Sequence, residues 1–203
     1  MNHTFPDPLV VMALPLESQG LFEQQAIELL YTGVGKVNAA HALTRKLAEY
    51  RHAQRPAPWV VNFGTTGSHC LATGTLVACH QFIQRDIDLS ALGFAPGVTP
   101  FEEIPALLEF PVLFPELAAA VCGSGDAFVT GVITSQCDVL DMEAYALAKV
   151  CWLERVNFAC VKYVTDGADH RAANDWHSNL PRAAASFLDV YRSLHRRLHV
   201  ASS

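Results

Sequence analysis

The sequence predicts a layered α/β fold with a mostly parallel sheet, and three observations carry that expectation. Short apolar runs alternate with amphipathic stretches along the chain. Several runs are nearly continuous in Val, Ile, Leu and Ala, which suits strands covered on both faces. Strands that alternate with helices imply layers of helix packed on a sheet.

The strand-like runs are LVVMAL (9–14), AIELLYTG (26–33), PWVVNFG (58–64), TLVACHQFI (75–83), AAAVCGSG (118–125), CDVLDM (137–142) and FACVKYVTD (158–166). Between them, Lys36 to Tyr50 places Val37, Ala40, Leu43 and Leu47 at helical spacing. Met142 to Leu153 does the same with Ala146, Leu147, Val150 and Leu153. The tail, Pro181 to Leu198, carries Ala184, Phe187, Leu188, Tyr191 and Leu194, and its basic end, His195-Arg196-Arg197, suits a helix C-terminus. The stretch 95–116 has five prolines and breaks the rhythm, so it reads as a surface excursion. No internal repeat is visible.

The 203 residues are expected to form one domain, 1–203, with a large core. The composition, 51% hydrophobic and 17% charged, fits a compact globular enzyme-like domain. A net charge of −6 and the lack of a Lys/Arg block argue against a nucleic-acid groove. The six cysteines lie in apolar segments without a CxxC pair and read as buried small hydrophobes in a reducing compartment. No HExxH or His-rich cluster suggests a metal. The N-terminal stretch has a six-residue apolar run and no basic leader, so neither a signal peptide nor a membrane span is expected. The expected location is the cytoplasm.

In parallel α/β sheets, ligands bind beyond the carboxyl ends of strands. Four such ends combine small residues with a hydroxyl or carboxylate: TGVGK (32–36), NFGTTGS (62–68), SGDAF (124–128) and VTDGAD (164–169). TGVGK opens a helix, and its N–H groups can face an anion or a sugar hydroxyl, or simply make a tight turn. It is neither a Walker A loop nor GxGxxG. NFGTTGS offers two hydroxyls between glycines. Phe128 of SGDAF is placed to stack on a flat base, or to join the core. Glu143 of DMEAYALAKVC reads either as ordinary first-turn helix-dipole chemistry or as a two-pronged acceptor for a ribose diol. An acid at the tip of a buried strand, Asp166, is a candidate proton donor with a raised pKa.

Taken in order, ALPLE (13–17), TGVGKVNAA (32–40), VVNFGTTGS (60–68), GTLV…QRDIDLSALGF (74–94), SGDAFV (124–129), DMEAYALAKVC (141–151) and VTDGAD (164–169) resemble the nucleoside phosphorylase/nucleosidase superfamily. The nearest likeness is to the bacterial 5′-methylthioadenosine/S-adenosylhomocysteine nucleosidases. The resemblance spans roughly residues 10 to 170. It implies a three-layer α/β/α fold around a twisted mixed sheet, a homodimer, and neither metal nor organic cofactor. It implies that Asp166 protonates the purine and that Glu17 activates water. It further implies that Met142 lies under the sugar and Glu143 binds its hydroxyls, that Phe128 stacks on the base and Val129 bonds its edge through the main chain, and that Thr65, Thr66 and Gly67 form the floor; Trp176 falls where the family often has an aromatic that lines the alkylthio pocket.

Departures from the pattern are a short stretch between Glu17 and Thr32, Thr165 where Ser is usual, and Leu92 where a neighbouring subunit often supplies an aromatic. A phosphorylase of the same superfamily is one rival. It needs cations for phosphate, usually including an Arg just before the Gly-Thr/Ser turn, and here Asn62-Phe63 stand there. Hydrolysis of futalosine is a second rival, and a non-catalytic nucleoside-binding member a third.

Overall fold

A computed structural model describes residues 7–131 and 136–200, with side chains as far as Leu194. Residues 1–6, at the start of the N-terminal stretch, and the side chains of His195, Arg196 and Arg197 lie outside the described residues.

The elements follow the order anticipated from the apolar runs. Strands are β1 (Leu9–Met12), β2 (Leu29–Tyr31), β3 (Val60–Gly67), β4 (Leu76–Gln84), β5 (Leu107–Glu109), β6 (Ala118–Ser124), β7 (Val139–Asp141) and β8 (Phe158–Asp166). Helices are α1 (Pro15–Ser18), α2 (Lys36–His52), α3 (Ala144–Glu154) and α4 (Ala172–Val200). All strands join one mixed sheet. β2, β1, β3 and β8 run parallel to one another in that order, and β8 then pairs antiparallel with β4, with Leu76 opposite Tyr163. β4 continues parallel to β6, and β6 parallel to β7. The end of β7 returns to β3, where Leu140 lies opposite Gly67. Strands β3, β8, β4, β6 and β7 thus close a ring, and the curl draws their ends around one cavity.

Two apolar clusters cover the two faces of the sheet, as period-2 side-chain alternation requires. Leu9, Val11, Val60, Phe158 and Cys160 pack with Leu43 and Leu47 of α2 and Leu147 and Cys151 of α3. Their sequence neighbours Val10, Met12, Val61, Phe63, Ala159 and Val161 pack with Phe187, Leu188 and Tyr191 of α4. Consecutive residues of one strand therefore feed opposite layers, giving helix, sheet and helix. Each such Val, Leu or Phe contributes about 1.5–3 kcal/mol by leaving water.

Three expectations need correction. The Pro-rich stretch 95–116 is not only a surface excursion. It contains β5, which pairs antiparallel with β4, and it buries Leu108 and Phe114 completely or nearly so. Pro105 and Pro111 flank this strand, and their turn signal masked it. The last helix begins at Ala172, nine residues before Pro181, which sits inside it. Proline favours a first turn and forgoes one helical hydrogen bond, but burial of Ala172, Leu180 and Ala183 outweighs that loss. Among the cysteines, Cys70 is exposed in the loop after β3, and the others are buried or partly so.

Candidate active site

An open cavity of about 230 Å³ lies where the ring of strand ends closes. It is lined by Glu17, Thr65, Thr66, Gly67, Phe128, Val129, Met142, Glu143, Asp166 and Trp176, so all ten residues anticipated from the sequence meet in one place. Its size suits a small organic ligand.

Glu17 sits in the single turn α1, which Pro15 opens directly after β1. Its carboxylate is buried and held by four donors. Oε2 accepts from the N–H of Ala13 (2.9 Å) and of Leu14 (3.2 Å). Oε1 accepts from the N–H of Thr65 (2.8 Å) and from its hydroxyl (2.9 Å). The tip of β1 and the tip of β3 are thereby tied through one carboxylate. The shortened stretch after Glu17 holds one 3-10 turn, Glu23–Gln25, before the short strand β2, and Glu17 still reaches the cavity.

Glu143 is the residue before α3, not a member of its first turn, and its side chain makes no capping bond. The helix-dipole reading therefore fails. Oε1 instead accepts the main-chain N–H of Gly35 at 2.7 Å. That turn needs glycine, since Gly35 has φ of +94°. The N–H groups of TGVGK do face anions, but the anions are the protein's own. Lys36 N–H donates to Asp126 Oδ1 at 2.8 Å, and Lys36 Nζ bridges Asp86 Oδ2 (2.6 Å) and Asp126 Oδ2 (2.8 Å). Burial, with Asp141 close by, pushes the Glu143 carboxyl up to about 8. A buried carboxyl that lines the cavity is poised to take a hydroxyl partner.

Asp166 ends β8, a strand buried along its whole length. Burial raises its pKa above the ordinary value, opposed by the Thr165 hydroxyl on Oδ2 (2.8 Å) and the Ala168 N–H on Oδ1 (2.9 Å). The Thr at this position supplies the hydroxyl that a Ser would. Gly67 keeps the approach open: a Cβ there would stand 2.8 Å from Asp166 Oδ1. Phe128 is 51% exposed and lines the cavity, so its ring has a free face. Trp176, in the early turns of α4, donates its indole N–H to Thr65 Oγ1 at 2.9 Å.

Sequence reasoning missed three charged residues here. Lys162 lies in the middle of β8 and pairs with Asp141 Oδ2 at 2.8 Å, both fully buried. Asp141 also takes the Ser124 hydroxyl (2.5 Å) and the N–H of Ala144 (2.8 Å), so it locks β6 and the start of α3. One lysine inside an apolar run was the available signal, because a buried ammonium demands a partner. Arg85 also lines the cavity, and its Nη2 donates to the carbonyls of Ala127 (2.6 Å) and Gly125 (3.2 Å), bracing the segment that carries Phe128. Among the described residues, no group of three His, Cys, Asp or Glu side chains is arranged to hold a metal ion. Nor is any described helix long and apolar enough to cross a membrane.

A 5′-methylthioadenosine/S-adenosylhomocysteine nucleosidase of Haemophilus ducreyi is 30% identical over 192 residues, spanning 85% of this chain and 81% of the relative. The crystal structure of the nucleosidase of that name from Neisseria meningitidis, in complex with methylthio-immucillin-A, superposes with a TM-score of 0.72 at 25% identity, covering 88% of this chain and 93% of the other. The native futalosine hydrolase of Helicobacter pylori shares the fold, with a TM-score of 0.77 at 22% identity over 92% of this chain and 97% of that one. The profile of the Phosphorylase superfamily matches residues 18–196, and the chain belongs to that superfamily.

Proposed function

We propose that the chain is a purine nucleosidase. It hydrolyses the N-ribosyl bond of 5′-methylthioadenosine/S-adenosylhomocysteine-type nucleosides and releases the free base. The observation that carries this reading is the convergence of Glu17, Glu143 and Asp166 on one cavity, with Glu17 at the tips of β1 and β3. The activity named for the Haemophilus ducreyi relative supports it.

The chemistry assigns each group a task. Breaking the bond from C1′ to the purine nitrogen sends its electron pair into the base. Asp166 donates a proton to the purine, so the leaving group departs neutral. Positive charge grows on the sugar, and Glu143, accepting from the ribose hydroxyls, and Met142 beneath the ring stabilise it. Water adds to C1′ and gives its proton to Glu17. Acid and base thus act from opposite sides of the sugar, as in glycoside hydrolysis. Phe128 stacks on the base, the Val129 main chain bonds its edge, and Thr65, Thr66 and Gly67 form the floor. Trp176 packs against the 5′ substituent.

Hydrolysis is favoured over phosphorolysis because an anionic carboxylate, not a cation, stands where the nucleophile enters. Arg85 braces the segment that carries Phe128 through Nη2, and Lys162 pairs with Asp141. The protein works as one domain, as a homodimer in the cytoplasm, without metal or organic cofactor. Exposed Leu92 and Phe101, on the segment after β4, supply apolar surface for the subunit contact.

The test is incubation with 5′-methylthioadenosine, with and without phosphate, and chromatography of base and sugar. Adenine release that does not need phosphate is expected. Release only with phosphate, as a ribose 1-phosphate, overturns hydrolysis. Release from futalosine alone reassigns the substrate. Binding of the nucleoside intact makes the chain a non-catalytic member. Sedimentation and cell fractionation test the dimer and the location.

A further inference from the structure

From the hydrogen-bond chain Trp176–Thr65–Glu17, we propose that Trp176 is a positioning residue for the base of the reaction. It acts through the Thr65 hydroxyl, and the inference rests on the nucleosidase reading for Glu17's task. An indole N–H only donates, and a carboxylate only accepts. Trp176 Nε1 donates to Thr65 Oγ1 at 2.9 Å, and Thr65 Oγ1 lies 2.9 Å from Glu17 Oε1. The indole proton takes a lone pair of the Thr65 oxygen, so the single hydroxyl proton is left for Glu17. The polarity of the chain is therefore fixed in one direction.

The consequence lies in how Glu17 is held. Its carboxylate has about four acceptor positions, and four donors fill them. Three are main-chain N–H groups, at Ala13, Leu14 and Thr65, and these do not rotate. The Thr65 hydroxyl is the only one of the four that can turn about a single bond. An incoming water that gives its proton to Glu17 must share or replace one of these bonds, and the hydroxyl is the one that can yield. Trp176 sets the resting position of that hydroxyl. Trp176 also lines the cavity, so a ligand that fills its side of the pocket presses on the residue that holds the hydroxyl in place. A phenylalanine would keep an aromatic ring there without the donor and leave Thr65 free to spin.

Trp176→Phe keeps the ring and removes the donor. It is expected to lower kcat about fivefold, the worth of one hydrogen bond, with KM within about twofold of the wild type. In a Thr65→Val background the same substitution should cost nothing further, because the intermediary is gone. In a Thr65→Ser background, which keeps a hydroxyl, the cost should return. A change confined to KM, or a cost that adds fully to that of Thr65→Val, overturns the proposal. A second readout does not depend on turnover. The Trp176 indole N–H resonance, identified by its loss in Trp176→Phe, should move upfield in Thr65→Val and hold its place in Thr65→Ser. A resonance indifferent to Thr65→Val also overturns the proposal. If the wild type releases base from no nucleoside, the nucleosidase reading fails, and the indole resonance alone decides the link from Trp176 to Thr65.

Discussion

The Gly35 main-chain N–H donates to Glu143 Oε1 at 2.7 Å, joining two turns 108 residues apart in sequence. The bond fixes Glu143 at the cavity rim, while burial and Asp141 raise its pKa from 4.5 to about 8. In that window the folded protein holds the proton more tightly than the unfolded chain, so stability falls as pH rises from 4.5 through about 8. Glu143→Gln should remove that contribution. Denaturant midpoints measured at about pH 5 and about pH 9 should draw closer together in the variant than in the wild type. An equal spread in both proteins contradicts the assignment.

The buried Lys162–Asp141 pair makes a different prediction. Lys162→Met leaves the Asp141 carboxylate buried without its cation and should cost about 3–5 kcal/mol. Replacing both residues with apolar side chains should recover much of that loss. Lys162 holds the Asp141 carboxyl below its ordinary value of 3.8 against the cost of burial, so the stabilisation is present above that value and is lost as pH falls below it. Acid unfolding should therefore be steeper in the wild type than in the double variant. A single variant as stable as the wild type would show that the pair is not structural.

Asp166→Asn should reduce base release by about 10²–10⁴-fold in single-turnover measurements, the usual worth of a general acid. Burial raises the Asp166 pKa, which keeps the acid form present to higher pH than an exposed aspartate allows. Activity is lost as pH rises through that pKa, so the wild type should show an alkaline limb that the variant lacks. A loss smaller than tenfold would move the acid to another group.

Gly67→Ala tests the approach to the same acid. The added methyl would stand 2.8 Å from Asp166 Oδ1 and 3.2 Å from the Ala168 Cβ. Asp166 or the Ala168 loop must shift. Overpacking of this kind costs about 1–3 kcal/mol, and base release should fall by more than the stability change explains. A fully active variant would show that Asp166 tolerates displacement.

How much of this was legible in the chain differs by level. Nearly continuous apolar runs in β1, β3 and β8 needed both faces covered, so the layered fold could be read directly. Helices α2 and α3 likewise followed from helical spacing. The three-residue β5 was hidden among prolines, whose turn preference outweighed its few strand residues, whereas the equally short β2 and β7 lie in longer apolar runs. The start of α4 was misplaced because a local proline preference outweighed the buried face that begins at Ala172.

The sequence by itself placed Asp166 at the end of an apolar run and, through the family resemblance of its motifs, singled out Glu17 and Glu143 as candidates beside it. Only the tertiary structure decided what those groups touch. Pairing of β1 with β3 and packing of α4 set Thr65 against Glu17 and Trp176, and the sheet brings Gly35 against Glu143 and Lys162 against Asp141. Each of those bonds joins residues from different elements, and no local pattern encodes a partner that arrives only when the layers assemble. Burial, which sets the raised pKa values of Glu143 and Asp166, is likewise a property of the closed sheet and not of any segment alone.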